Sequence, residues 1–290
     1  MSTFVKLKED MQFSKELQEM IEVLKTTTAT QFRSLQHKRK DFEQYKFRLE
    51  EFLRALEVRR ATHPFLKGNV ALPKAIVMIT SDEGFLGSLN ALVINAGLEQ
   101  ASGSDELIVL GERGARYLSE TQKFSFTVLP GIGDDITYSR AVAVRDFLIS
   151  KFSGKKIGAV LCAYPRFLSF TVQRVEVTRL LPCNEIFGFR EGIKKPAQAS
   201  EILMEPSFSE VVEYIVRAWL MQKLYDMFWE SKLSECAARI IHLEGSHEEI
   251  LAMSRKLIYQ YFKFLHSKSD KNIREIFASR LHWEEEKNVS

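Results

Sequence analysis

Only three cysteines occur in the 290 residues, Cys162, Cys183 and Cys236, and no two form a Cys-x-x-Cys pair. Neither a disulfide framework nor a zinc knuckle is therefore indicated, and a reducing cytosolic setting is the default expectation. Long apolar runs are also lacking. No segment approaches the roughly eighteen consecutive apolar residues of a membrane span, and the charged N-terminus has no apolar core of a signal peptide. Any membrane association is expected to go through a partner. Charge of one sign is missing too: 41 basic residues against 38 acidic give a net charge of +3, too balanced to mark a nucleic-acid binder. Glycine and proline, finally, are scarce at both ends. All seven prolines lie between Pro64 and Pro206, and every glycine except Gly245 lies between Gly68 and Gly192. Since these two residues are the strongest breakers of helix, the ends are free to run as long helices, which suggests a shaft with a globular head.

What is present fits that layout. A hydrophobic content of 45% is enough for a real core in one or two domains. Near the N-terminus, Leu17, Ile21, Leu24, Thr28, Leu35, Phe42, Tyr45, Leu49, Phe52 and Leu56 recur at steps of four and three, a heptad seam with gaps at Gln31 and Lys38. A helix from Phe4 to Arg60 would be roughly 85 Å long and would need a partner helix or a surrounding sleeve. After Pro206, Val211, Ile215, Trp219, Leu224, Phe228, Leu233, Ala237, Ile240, Leu251, Ile258, Tyr261 and Leu265 follow helical spacing. Gly245 and the polar stretch Ser267–Lys271 leave a choice between one long helix with weak points and two in series.

Between the ends, strands are expected at Ala75–Thr80, Glu106–Leu110, Phe124–Leu129, Ile157–Cys162 and Thr171–Leu180, with helices at Gly87–Glu99, Arg113–Glu120 and Asp134–Phe152. This alternation predicts an α/β fold with a Rossmann-like, mostly parallel sheet, flanked by a long antiparallel coiled coil of the N- and C-terminal helices. The division follows as 1–63 N-terminal helix, 64–206 central α/β domain and 207–290 C-terminal helix, with a polar loop at Lys194–Ser200.

The first strand ends in Thr80-Ser81-Asp82-Glu83-Gly84-Phe85-Leu86-Gly87-Ser88-Leu89-Asn90. A Gly-bearing turn between strand and helix can hold phosphate, but this one has neither the lysine of a P-loop nor the Gly-x-Gly-x-x-Gly spacing, and Asp82 and Glu83 repel anions. A turn in which Ser81 or Asp82 caps a helix is the simpler reading. Gly111-Glu112-Arg113-Gly114 and Gly131-Ile132-Gly133-Asp134-Asp135 likewise read as helix starts. No histidine set, triad signature or metal-ligand spacing appears, so no catalytic, cofactor or metal residue is assigned. Two acid-free basic bands stand out, Val23–Lys40 and Ile250–Ser269, which an antiparallel pairing could bring to overlapping heights. They read either as solvated faces or as a basic shaft inside an acidic sleeve.

At Thr80, Ser81, Asp82, Gly84, Gly87 and Asn90 the chain resembles the gamma subunit of rotary F-type ATP synthases, whose central domain carries Thr-Ser-Asp-x-Gly-x-x-Gly-x-x-Asn. The family's Ser-Glu-x-Ala-Ala-Arg signature is matched by Ser234, Glu235, Ala237, Ala238 and Arg239, and its Glu-Pro-Ser/Asp stretch by Glu205, Pro206 and Ser207. Ile21, Leu24, Lys25, Arg33 and Gln36 fit the N-terminal helix pattern. The resemblance implies a non-catalytic central-stalk rotor that couples ion flow through a membrane ring to nucleotide catalysis in the surrounding hexamer. It implies as partners alpha and beta subunits, an epsilon-type stalk subunit and the c-ring, at the cytoplasmic face of the bacterial inner membrane. Lys25, Arg33, Arg239, Lys263 and Lys268 are the expected partner contacts, with a structural ion pair within the coil as the other reading of Arg239.

The chain departs from typical members where Lys263 and Phe264 replace a late Arg-Gln pair, where Ile202 and Met204 replace aromatic residues, and in a charged Glu284–Ser290 tail. These departures resemble a divergent gamma of an alternative ion-translocating ATPase. The readings from other classes are an α/β small-ligand-binding protein or enzyme with helical dimerisation arms, and a coiled-coil scaffold that does not rotate.

Overall fold

A computed structural model describes residues 3–55, 64–121, 125–183 and 207–287. Helix α1 (Thr3–Ala55) is followed by β1 (Lys74–Ile79), α2 (Leu89–Glu99), β2 (Glu106–Leu110), α3 (Glu112–Thr121), β3 (Phe126–Leu129), α4 (Tyr138–Ser153), β4 (Ala159–Phe167), β5 (Gln173–Leu181) and α5 (Phe208–Lys287). The chain packs as two compact units, residues 1–27 with 242–290 and residues 28–241. Both α1 and α5 contribute to each. Leu56, the loop Lys194–Ser200, Ile202, Met204 and the Glu205-Pro206 pair lie outside the described residues, as do both inner boundaries of the expected three-part division.

The larger unit is built on a five-stranded sheet of order β3-β2-β1-β4-β5, parallel except for the antiparallel β4–β5 pair. Strand alternation sorts the side chains of β1 onto two faces. Ile76 and Met78 join Val93 and Ile94 of α2 and Leu118 of α3. Ala75, Val77 and Ile79 join Val144 and Leu148 of α4 and Leu220, Leu224 and Phe228 of α5 on the other face. Helices on both faces are what a parallel sheet requires, since neither face can be left in water.

Most of the expected boundaries move by a residue or more, three of them for a plain local reason. Helix α2 starts at Leu89 rather than Gly87, because Gly87 has φ +56, outside the right-handed helical region. Helix α4 starts at Tyr138 rather than Asp134, after an extended Thr137 with ψ 140. Strand β4 continues through Pro165 to Phe167 instead of stopping at Cys162. Its pairing with β1 ends at Met78↔Ala163, so beyond that point proline's missing N–H costs no ladder bond on the β1 side.

Asp105 ties the start of β2 to that of β1. Its carboxylate accepts hydrogen bonds from the backbone N–H of Lys74 and of Ser102, each at 2.8 Å, and lies 3.6 Å from the Lys74 ammonium. Burial alone would raise its pKa, but these donors and the Lys74 charge outweigh it and hold the carboxyl below its ordinary value of 3.8. A carboxyl depressed in the folded state stabilises above its unfolded pKa, and that stabilisation is lost as pH falls through the folded value. Asp105→Asn is accordingly expected to destabilise the chain by about 1–3 kcal/mol at neutral pH. Denaturant melts of variant and parent at several pH values should show the gap closing below pH 3.8.

The smaller unit is an antiparallel helix pair. Phe4 stacks on Tyr261 and Phe264, with ring centroids at 5.5 and 5.7 Å, while Lys25 Nζ lies 2.7 Å from a Glu244 carboxylate oxygen. Along α1, Ser14, Leu17, Ile21 and Leu24 turn inward. Along α5 it is Leu243, His247, Ile250, Ser254, Leu257, Tyr261 and Phe264, a regular four-three repeat. Ile258, expected in the seam, is 40% exposed, because Leu257 occupies the inward position. Helix α5 runs through Gly245 and Ser267–Lys271 as one element. The two basic bands do not lie opposite one another in this unit: the register that sets Phe4 beside Tyr261 and Lys25 beside Glu244 places most of Ile250–Ser269 against residues before Val23.

Candidate functional site

In an open parallel sheet, ligands bind beyond the carboxyl ends of the strands where the strand order reverses. Here that place is between β1 and β4, and the chain fills it with its own C-terminal helix. Ser234 Oγ donates to the carbonyl oxygen of Pro165 in β4 at 3.3 Å, and the backbone N–H of Phe167 donates to Glu230 Oε2 at 3.0 Å. Ala238 packs against Leu86 and Leu89 beside the loop that follows β1, and Ala237 is fully buried. Alanines at these two places keep the backbone of α5 close to the loop.

The loop is a bonded knot. Thr80 Oγ1 donates to the carbonyl oxygen of Leu110 at 2.6 Å, while the N–H of Thr80 donates to the same carbonyl at 2.8 Å. Asn90 reaches back from α2, accepting from the N–H of Ser81 at 3.1 Å and donating to Ser81 Oγ at 2.9 Å; Ser81 Oγ donates to the Glu83 carbonyl. Asp82 Oδ1 accepts the N–H of Glu112, the first residue of α3. It therefore caps α3 rather than the adjoining α2, and its carboxylate occupies the helix N-terminus that an anion at Gly111–Gly114 would need. Gly84 adjoins the Arg113 guanidinium, and Gly131 is held so close to Asp82 that a side chain there would overlap the carboxylate.

Charged groups fasten α5 to this knot. Arg239, 5% exposed, donates from Nε to the Gly84 carbonyl at 3.3 Å and sets Nη2 2.7 Å from Glu83 Oε2. Lys232, also buried, has Nζ at 3.5 Å from Glu235 and 3.8 Å from Asp134 in the loop before α4. Burial raises the pKa of Glu235, an effect that Lys232 and Arg239 partly offset. Burial likewise pushes the neighbouring Cys236 thiol to about 11, leaving it an inert packing residue. Among the described residues no three His, Cys, Asp or Glu side chains come together as a metal site would require.

The two motifs singled out in the sequence are thus brought together, although they lie about 150 positions apart in the chain. Glu83 and Asp134, which the sequence offers only as turn residues, complete the junction with Glu230 and Lys232. The available signal was the spacing of Lys232, Glu235 and Arg239, which places three charges on one face of a helix that is otherwise apolar there. Of the remaining expected contacts, Lys25 is paired with Glu244, whereas Arg33, Lys263 and Lys268 are exposed. Phe264 stacks against Phe4.

The chain is thus a Rossmann-like sheet whose crevice at the strand ends is packed by a helix that continues into a second packing unit. The family model described as ATP synthase matches residues 4–279, and the chain is 25% identical over 267 residues to the ATP synthase gamma chain of Pelotomaculum thermopropionicum, covering 90% of this chain and 92% of the relative. It belongs to the ATP synthase family, as a gamma subunit, the central-stalk rotor of the F-type complex. The gamma chain of Clostridium novyi is 28% identical over 215 residues, 73% of each chain. A chain of Euglena gracilis mitochondrial ATP synthase, in the OSCP/F1/c-ring assembly in rotational state 3, shares the fold with a TM-score of 0.72 at 16% identity, covering 99% of this chain and 97% of that one. A chain from the central stalk/c-ring of Tetrahymena thermophila mitochondrial ATP synthase gives a TM-score of 0.58 at 17% identity, covering 78% and 99%. The small-ligand-binding alternative is not favoured.

Proposed function

We propose that residues 1–63 and 207–290 serve as the coiled-coil helices that turn inside a ring of alternating alpha and beta subunits. In this reading the 64–206 domain docks on an epsilon-type stalk subunit and a membrane c-ring, at the cytoplasmic face of a bacterial inner membrane. No helix among the described residues is long and apolar enough to cross a membrane, so attachment through the c-ring fits the chain. The gamma-chain relatives and the F1/c-ring context of the Euglena structure support the catalytic ring and the c-ring as partners.

The observation that carries the assignment is the surface of α5 past the stacked rings. From His266 to Ser279 every residue is exposed, including Lys268 and, at 48–63%, Ile273, Ile276 and Phe277, and Lys263 precedes this stretch. Apolar side chains in that number need a sleeve, and the neighbouring basic groups orient it by charge. Lys25, Arg33, Lys263 and Lys268 are assigned as polar contacts with the ring, while Arg239 is assigned to the internal junction.

Reversing the charge of exposed Arg33, as Arg33→Glu, is expected to lower ATP-driven ion pumping per ATP hydrolysed by about three- to tenfold, the scale of one coupling contact. Lys25 needs a two-step test because it already pairs with Glu244. Lys25→Glu should impair pumping, and adding Glu244→Lys should fail to restore it if Lys25 also reaches a partner. Pumping at the parental ratio in the Arg33→Glu complex contradicts that assignment.

A further inference from the structure

The motif Thr-Ser-Asp-x-Gly leaves its fourth position open, and in this chain the open position holds Glu83, the residue that meets Arg239. We propose that the Glu83–Arg239 pair is a latch that fixes the rotational register of α5 on the α/β domain, so that torque passes between them without slip. Both are positioning residues.

The surroundings explain why a charged tooth is needed there. The apolar contact beside it is Ala238 against Leu86 and Leu89, and a methyl group gives a turning helix little to push against. Arg239 extends further, crosses to the loop and engages it twice, at Gly84 O and at the Glu83 carboxylate. The pair is also asymmetric. The Arg239 side chain is 6% exposed and that of Glu83 51%. If the latch opens, Glu83 can return to water, whereas Nη2 of Arg239, which meets Glu83 as an ion pair and makes no hydrogen bond among the described residues, stays buried. The guanidinium therefore drives reclosure, because a buried charge parted from its counter-charge is costly while an exposed carboxylate is not. Lys232 with Asp134 makes a second, longer crossing from α5 to the loop before α4, which limits tilt while Arg239 limits rotation. The knot beneath Glu83, held by Ser81, Asp82 and Asn90, supplies the rigid anchor.

This inference rests on the rotor function and does not depend on Lys25, Arg33, Lys263 or Lys268 as ring contacts. Its test uses the whole ATP synthase complex in sealed vesicles, with ATP hydrolysis and ATP-driven ion pumping measured in parallel for Glu83→Gln, Glu83→Asp, Arg239→Gln and the double Gln variant. Glu83→Gln is expected to keep hydrolysis within about twofold of the parent and to lower ions pumped per ATP about three- to tenfold, with Glu83→Asp retaining most of the ratio. Because the two groups act as a pair, the double variant should be no worse than Arg239→Gln alone. Where Arg239→Gln prevents assembly, Arg239→Lys takes its place in the cycle. Three results overturn the latch: parental pumping per ATP in Glu83→Gln, losses that multiply in the double variant, or hydrolysis and pumping that fall together in Glu83→Gln.

Discussion

Gly114→Val is expected to leave no assembled complex containing this chain. Gly114 sits in the first turn of α3 where the helix crosses the end of β1, and a Cβ built there would come within 2.6 Å of Thr80 Cγ2 and closer still to Thr80 Oγ1. Thr80 cannot yield, since its hydroxyl is bonded to the Leu110 carbonyl and its own N–H to the same oxygen. The helix must lift instead, and lifting it removes the Asp82 cap on Glu112 and the bond from the Arg113 N–H to the Ser81 carbonyl. Overpacking of this kind typically costs about 1–3 kcal/mol, before the lost bonds are counted. Valine adds two more carbons against total stabilities of about 5–15 kcal/mol for natural domains. Expression of the variant with its partner subunits, followed by size-exclusion chromatography, checks this; a normal complex peak would show that α3 tolerates the displacement.

Phe228→Ala is the second large effect, with an expected loss of about 3–5 kcal/mol. Phe228 is fully buried in the core where α5 meets the β1 and α4 side chains, and its neighbours Leu224, Trp229 and Leu220 are held in the same cluster. A cavity there cannot be filled by water at a profit, because its lining is apolar. It also loosens α5 from the sheet about three turns before Arg239. Denaturant melts should show a lower midpoint with little change in slope, and hydrogen exchange should rise along β1 and α4. A midpoint within experimental error of the parent would mean that α5 contributes little to this core.

Most of the fold could be read from the sequence because its signals are local. Glu106–Leu110 was bounded correctly from its apolar run alone, and the breaker-free ends gave both long helices. The register of those helices against each other was not legible. Heptad spacing shows that Leu17, Ile21 and Leu24 share a face, but which α5 residues they meet depends on Phe4 finding Tyr261 and Phe264, a pairing across more than 250 positions. The same limit governed the site. The motif residues Thr80–Asn90 and Ser234–Arg239 were found separately, and no local signal says that Asp82 caps α3 or that Glu83 meets Arg239. Those contacts follow from a loop and a helix converging at the carboxyl ends of β1 and β4, and only the folded topology brings them together.

Rotation itself is the most direct test. All three native cysteines are buried, so Ser119→Cys on the exposed face of α3 offers a specific attachment point for a probe. With the alpha–beta hexamer fixed to a surface and ATP supplied, the probe should turn in one direction in steps that keep pace with hydrolysis. Sustained hydrolysis by a complex containing the labelled chain, with the probe stationary or turning at random, would contradict the assignment of this chain as the rotor.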